Sequence, residues 1–266
     1  MTLISSIKRV VRKIVPSRYG WSGDYLNWND ANNQCLGYDQ SNIVEKVKDA
    51  TLKVKNGEAV YERDSVLFDR VEYSWPLLSA LMWVAAINKG KINVIDFGGS
   101  LGSSYFQNKK FLDTLEVKWT IIEQDSFVKH GQQFIEDNRI NFFYSVEEAI
   151  SRNGFADLLI IACTLPYLRQ PYDSLIELMK SNISYLIIDN TPFNYEPRDR
   201  ITVQKVPPTI YKASYPCWFL DYNKIVQTVT EFYTIISEHE NDSYIFLDGR
   251  KIHYRGFLAK LKSAEE

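Results

Sequence analysis

From Lys91 onward, short apolar runs alternate with longer stretches in which apolar residues recur every three or four positions. Short runs rich in Val, Ile and Phe read as buried strands, and the helical recurrence reads as helices packed against them. The pattern predicts strands over 92–97, 118–123, 140–144, 157–162 and 185–189. Helices are expected near 103–115, 125–138, 146–153 and 171–181. Such alternation builds a parallel sheet with helices on both faces, joined by right-handed crossovers. Beyond residue 190 the pattern changes. A helix over 222–230 leads into strand-like runs at 232–240 and 243–247, joined near Asn241-Asp242, and a further strand at 252–260. Upstream, helices are expected over 40–55 and 75–88, and the segment 19–60 is polar and aromatic, with Trp21, Tyr25, Trp28 and Tyr38. The segment 190–221 has no regular pattern and reads as a long loop, of the kind that is usually functional.

The first 18 residues stand apart. Ile4, Ile7, Val10, Val11, Ile14 and Val15 recur at helical spacing, with Lys8, Arg9, Arg12 and Lys13 between them and Pro16 ending the run. This is a short basic amphipathic helix. It suits either peripheral contact with an anionic membrane or packing on the protein's own surface. Three segments follow: this helix at 1–18, a helical and aromatic extension at 19–90, and an α/β domain at 91–266.

Composition narrows the class without choosing a function. The chain has 266 residues, 45% hydrophobic and 24% charged, as expected of a globular protein with a sizeable core. A formal net charge of −2 carries no nucleic-acid signature. Cys35, Cys163 and Cys217 are far apart and form no metal-ligand spacing, so no metal site is expected. No apolar run is long enough to span a bilayer, and the cysteine usage fits a reducing cytoplasm, with peripheral inner-membrane contact through residues 1–18 left open.

The chemistry concentrates at Val94-Ile95-Asp96-Phe97-Gly98-Gly99-Ser100-Leu101-Gly102-Ser103-Ser104-Tyr105. An apolar strand ends in an acid, a glycine turn follows, and small residues open a helix whose free N–H groups point at any bound ligand. A dinucleotide turn wants glycines at i, i+2 and i+5. Neither Gly98 nor Gly99 starts such a register. The alternative template is an acid followed by glycines two, four and six residues on, as in class I S-adenosylmethionine (SAM) methyltransferases. Asp96, Gly98 and Gly102 fit it, with Ser100 in place of the middle glycine. An acid beside the turn suits the cationic methionine end of SAM and repels a pyrophosphate. Glu123, ending the next strand, stands where an acid commonly binds ribose hydroxyls. An NAD(P)-dependent oxidoreductase and a non-catalytic adapter of the same fold remain the competing readings.

Several blocks resemble a family of SAM-dependent methyltransferases found in bacterial O-antigen and capsule gene clusters. They are Cys35-Leu36-Gly37-Tyr38-Asp39, the run from Gly57 to Ser65, Tyr73-Ser74-Trp75-Pro76-Leu77-Leu78, the run from Asp96 to Tyr105, and Val206-Pro207-Pro208-Thr209-Ile210-Tyr211. The resemblance implies a class I methyltransferase Rossmann-like fold, mostly parallel with an antiparallel C-terminal pair. It implies SAM as cofactor and a sugar or glycan precursor as partner, with the acceptor O-methylated. Asp96, Gly98, Gly99 and Gly102 are then expected to hold the methionine end, Glu123 the ribose, and Ser145 to lie near adenine, with Tyr61 and Arg63 covering the cofactor. Asp189 and Tyr167 are the expected catalytic residues. Arg198, Arg200, Gln204, Tyr211, Tyr215 and Trp218 in the lid-like segment are expected at the acceptor, because aromatic faces and polar donors suit a sugar. His130, His239 and His253 fall within or near regular elements and read as structural or exposed, His253 being the nearest to a pocket.

Overall fold

The computed structural model describes residues 19–35 and 40–263, and the basic segment 1–18 lies outside them. In chain order the elements are β1 (Gly20–Tyr25), α1 (Trp28–Asn32), α2 (Gln40–Lys55), β2 (Tyr61–Arg63), β3 (Val66–Phe68), α3 (Trp75–Ile87), β4 (Lys91–Phe97), α4 (Ser103–Leu112), β5 (Glu116–Ile122), α5 (Asp125–His130), β6 (Ile140–Phe143), α6 (Val146–Asn153), β7 (Leu158–Ala162), α7 (Pro171–Met179), β8 (Tyr185–Pro192), β9 (Arg200–Lys205), β10 (Ser214–Phe219), α8 (Tyr222–Thr230), β11 (Tyr233–Leu247) and β12 (Arg250–Leu261).

A seven-stranded sheet runs β6-β5-β4-β7-β8-β12-β11. Strands β4 to β8 are parallel, and β12 pairs antiparallel with both β8 and β11. A mostly parallel sheet with antiparallel C-terminal strands is the layout that the family resemblance implied. The chain builds β4, β5 and β6 outward, then returns to place β7 on the other side of β4. Open α/β sheets bind ligands beyond the carboxyl ends of the strands at such a switch.

Side-chain alternation explains the apolar runs. In β7, Leu158 and Ile160 join Val94, Trp119, Phe142 and Ile187 under the face covered by α2 to α5. Leu159 and Ile161 join Ile95, Leu186, Leu175 and Ile225 on the opposite face, under α6 to α8. A strand buried on both faces has no polar positions to alternate. Ser74 caps α3, its Oγ accepting from the Leu77 amide, and Pro76 sits in the first turn, where its missing N–H is not needed.

Two expectations change. The runs at 232–240 and 243–247 form one strand, β11, whose register shifts between Ile235 and Ser237 and between Glu240 and Tyr244. The polar Asn241-Asp242 pair marks a bulge, where the ladder is interrupted without ending the strand. The segment 190–221 is not a plain loop either. Its β9 and β10 pair, and β1 adds to the other edge of β9 to give a second sheet, β1-β9-β10. Gly20 lies opposite Lys205, so this sheet depends on chain segments far apart in sequence. The aromatic extension therefore contributes strands as well as helices, including the β2–β3 hairpin, whose turn residues Asp64 and Ser65 both have positive φ as a two-residue type I′ turn requires.

Candidate functional site

The carboxyl edge of the sheet holds three non-glycine residues in left-handed conformations. They stand at or just past the carboxyl ends of three neighbouring strands, β4, β7 and β8: Ser100 at φ 55°, Cys163 at φ 56° and, within β8, Asn190 at φ 48°. Asn tolerates this region, whereas Ser and Cys adopt it less often. Local strain of this kind clusters at ligand sites.

At the β4 end, Gly98 (φ 74°) and Gly102 (φ 99°) let the chain turn sharply into α4. An added Cβ on Gly98 would overlap Thr164, whose Oγ1 donates to the Phe97 carbonyl at 3.0 Å. That contact brings the β7 end against the turn. Gly102 caps α4 with no side-chain hydrogen bond. The Glu62 carboxylate lies nearby and accepts from Ser103 Oγ. Burial pushes Glu62 up to about 7.

Asp96 takes a different place from the one expected of it. It is 1% exposed, beneath the turn, where a Cβ on Gly99 would fall 2.5 Å from its carboxyl group. It accepts from Trp119 Nε1 at 3.2 Å. Burial pushes it up to about 7 against that one donor. Asp96 thus supports the turn from below; its carboxylate is enclosed by the chain and is not presented to a ligand.

Glu123 lies beside the turn. Ser100 N donates to Oε1 at 3.1 Å and Gln124 N to Oε2 at 2.8 Å. Each oxygen keeps a lone pair for an incoming hydroxyl. Desolvation raises its pKa despite these two donors. The glycine turn, the α4 N-terminus without a side-chain cap and the braced Glu123 together fit a nucleoside-bearing ligand.

At the β8 end, Asp189 is fully buried. Ser74 Oγ donates to Oδ2 at 2.5 Å, His239 Nε2 lies 2.9 Å from Oδ1, and Asn241 Nδ2 donates to Oδ1 at 3.3 Å. Burial alone would raise its pKa, but His239, Ser74 and Asn241 more than offset it and hold the carboxyl below its ordinary value. Asn190 Nδ2 adds a fourth, longer contact to Oδ2 at 3.4 Å, and a carboxylate buried among these donors is a poor proton acceptor. Asp189 anchors Ser74, His239, Asn241 and Asn190 around it.

Other expected residues divide into two groups. Tyr167 donates to Gln204 Oε1 at 2.9 Å and packs edge-on against Tyr215, with ring centroids 5.4 Å apart. Tyr215 in turn bonds Tyr211. Cys163, Tyr254 and the tip of the β2–β3 hairpin close the same corner, since Arg63 and Asp64 act electrostatically on both Cys163 and Tyr254. Burial pushes the Cys163 thiol up to about 12 and raises the Tyr167 hydroxyl well above its ordinary value. Both stay protonated, so Tyr167 is a donor and not a base.

The second group is engaged elsewhere. The Arg200 guanidinium binds the Gly23 carbonyl and Asp248, joining β9 to β1 and to the β11–β12 turn. Arg198 pairs with Asp24 and Glu196. Trp218 stacks on Trp28 and donates to the Leu168 carbonyl at 3.0 Å. Ser145 caps α6, its Oγ accepting from Glu148 N at 3.2 Å. Tyr61 is buried against Phe68 and receives Gln107 Nε2, whereas Arg63 is exposed beside Glu72. Sequence reading missed Glu62, Ser74, His239, Asn241 and Tyr254. Glu62 and Ser74 lie in the blocks that carry the resemblance, but each residue gains its role from a partner on another element. Among the described residues no cluster of His, Cys, Asp and Glu could hold a metal, and no helix is long and apolar enough to cross a membrane.

No protein-family model matches the sequence, and no curated protein matches it. Solved structures of similar fold include the N-terminal domain of EvdMO1 determined with S-adenosylhomocysteine and D-fucose, at 11% identity and a TM-score of 0.49 over 85% of this chain and 98% of that one. Magnesium protoporphyrin IX methyltransferase from Synechocystis PCC 6803, determined with S-adenosylhomocysteine, is similar at 12% identity and a TM-score of 0.46 over 97% of this chain and 95% of its own. The N-methyltransferase NodS from Bradyrhizobium japonicum WM9, in complex with S-adenosylhomocysteine, shares 15% identity at a TM-score of 0.43 over 70% of this chain and 86% of its own. These likenesses concern the fold alone.

Proposed function

We propose that this chain is a SAM-dependent methyltransferase that O-methylates a sugar of a surface polysaccharide or of its lipid-linked or nucleotide-sugar precursor. The observation that carries the reading is Glu123, held by Ser100 N at the edge of a glycine turn whose spacing does not suit a dinucleotide. Gly98, Gly99 and the start of α4 would lie along the methionine end, and Glu123 would take the ribose hydroxyls. SAM, when bound, supplies a methyl group already activated by the sulfonium. The protein's part is then to position, to exclude water and to move one proton. The corner of Tyr167, Gln204, Tyr211 and Tyr215 offers aromatic faces and hydroxyls of the kind that sugars meet. The polysaccharide setting rests on the family resemblance, and cytoplasmic placement with peripheral membrane contact through residues 1–18 belongs to the same proposal.

Calorimetric titration with SAM, S-adenosylhomocysteine and NAD tests it. Micromolar binding of the two sulfur nucleosides is expected. Glu123→Ala should weaken S-adenosylhomocysteine roughly 10–100-fold, the value of hydrogen bonds to a charged group. Micromolar NAD binding with no SAM binding overturns the reading.

A further inference from the structure

Strand β12 lies between β8 and β11, yet a side chain from β11 crosses it. His239 stands opposite Gly256 on β12, and its Nε2 reaches Asp189 Oδ1 on β8 at 2.9 Å. The crossing depends on Gly256: a Cβ there would lie 2.7 Å from His239 Nε2 and would overlap the Ile188 carbonyl. The β12 register against β8 shifts at this same point, between Arg255 and Phe257. Nε2 faces a buried carboxylate, so it carries the proton of the neutral ring, and Nδ1 is the basic nitrogen. Nδ1 has no hydrogen-bond partner among the described residues.

The ring is 14% exposed. It borders a groove of about 450 Å³ along α3, lined also by Trp75, Ser79, Trp83 and Ser237. Trp75 is 63% exposed and Trp83 40%. Two exposed tryptophans, each with one aromatic neighbour, and the Ser79 and Ser237 hydroxyls give the groove apolar surface and polar groups of the kind a sugar ring meets. Trp75 opens α3 beside Ser74, which holds Asp189, so the groove begins at the carboxyl edge of the sheet.

We propose that His239 is the group that takes the proton from the acceptor hydroxyl, that Asp189 positions it, and that the acceptor sugar lies in the α3 groove. This rests on the methyl-transfer reading above. The acceptor O–H bond breaks, its electron pair stays on oxygen, and the proton goes to His239 Nδ1. The oxygen pair would form the new bond to the methyl carbon as the sulfonium carbon–sulfur bond breaks, its pair staying on sulfur, so that the neutral thioether S-adenosylhomocysteine leaves. The imidazolium rests against the Asp189 carboxylate and returns its proton to water.

His239→Gln in the full chain tests the proposal. The glutamine amide keeps a donor for Asp189 and has no basic nitrogen, so a purely structural role survives the change and a proton-accepting role does not. The probes are S-adenosylhomocysteine for binding and, for transfer, SAM labelled in its methyl group with glycans extracted from cells lacking this protein. S-adenosylhomocysteine affinity is expected to stay within about twofold, while label transfer falls about 10²–10⁴-fold. Nitrogen-15 NMR of wild type is expected to show the Nε2–H tautomer at His239. Transfer by His239→Gln at the wild-type rate, or an Nδ1–H tautomer, overturns this proposal alone. A wild-type protein that binds no S-adenosylhomocysteine, or binds it and transfers nothing, overturns the methyl-transfer reading and the proposal with it.

Discussion

The ends of β4 and β8 each carry a buried aspartate, and the pKa values of the two move in opposite directions. Asp96 has a single side-chain donor, Trp119 Nε1, and burial pushes it up to about 7. Asp189 is at least as enclosed, yet Ser74, His239 and Asn241 converge on it and its pKa is lowered. Burial raises the free energy of both carboxylates, and the number and charge of the donors decide which one stays ionised. The same difference separates their uses. Asp96 supports a backbone turn from below, where a neutral acid serves as well as a charged one. Asp189 keeps a fixed negative charge that orients an imidazole.

The largest expected effect breaks the β8 end. Asp189→Ala leaves Ser74, His239 and Asn241 facing a buried gap and should destabilise the protein by about 3–5 kcal/mol, read by urea unfolding at neutral pH. A loss below about 1 kcal/mol would mean that the three donors do not depend on the carboxylate.

The next prediction concerns pH and has opposite signs at the two ends. Asp96 titrates near 7 when folded and near 3.8 when unfolded. Between those values the unfolded chain has released a proton that the folded chain retains. Stability from this group is therefore full below 3.8, falls as pH rises through the window, and levels off above 7, a change of about 4 kcal/mol. Asp96→Asn should remove that share of the slope in unfolding measurements from pH 4 to 8. Glu62 titrates in the same window and keeps its own share. Asp189 works the other way: its contribution is present above 3.8 and is lost as pH falls through its lower folded value.

Two smaller changes sharpen the comparison. Asn241→Ala removes one of the two long contacts to Asp189, at 3.3 Å, and should cost about 1 kcal/mol in the same unfolding assay. Ser100→Gly acts at the β4 end, where a serine takes φ 55°. Relief of about 1 kcal/mol of left-handed strain, partly offset by the freedom of glycine in the unfolded chain, should raise stability by about 0.5 kcal/mol. A loss of stability there would show that the serine side chain contributes more than its conformation takes away.

The β4 end was legible because its parts are contiguous. Asp96 to Ser104 spell out strand, turn and helix start, and Glu123 follows at the end of the next strand. Even so, the side on which Asp96 lies was not readable, since the pleat and Trp119 place it under the turn. The β8 end was illegible for the opposite reason. Asp189 depends on Ser74 from α3 and on His239 and Asn241 from β11, and nothing near His239 distinguishes it from His130 or His253. The β9–β10 segment escaped because its six-residue strands carry Pro216 and find a partner in β1, far away in sequence.

What the sequence determined by itself was the alternation of apolar runs that specifies a doubly covered parallel sheet, together with the glycine turn and its acid neighbours. Periodicity and turn chemistry are local, so they survive in one dimension. What only the tertiary structure decided was which acid stays charged, which histidine meets it, and which arginines, such as Arg200 with Asp248, are committed to holding sheets together. Those outcomes depend on burial and on donors brought from distant segments, and both exist only once the chain has folded.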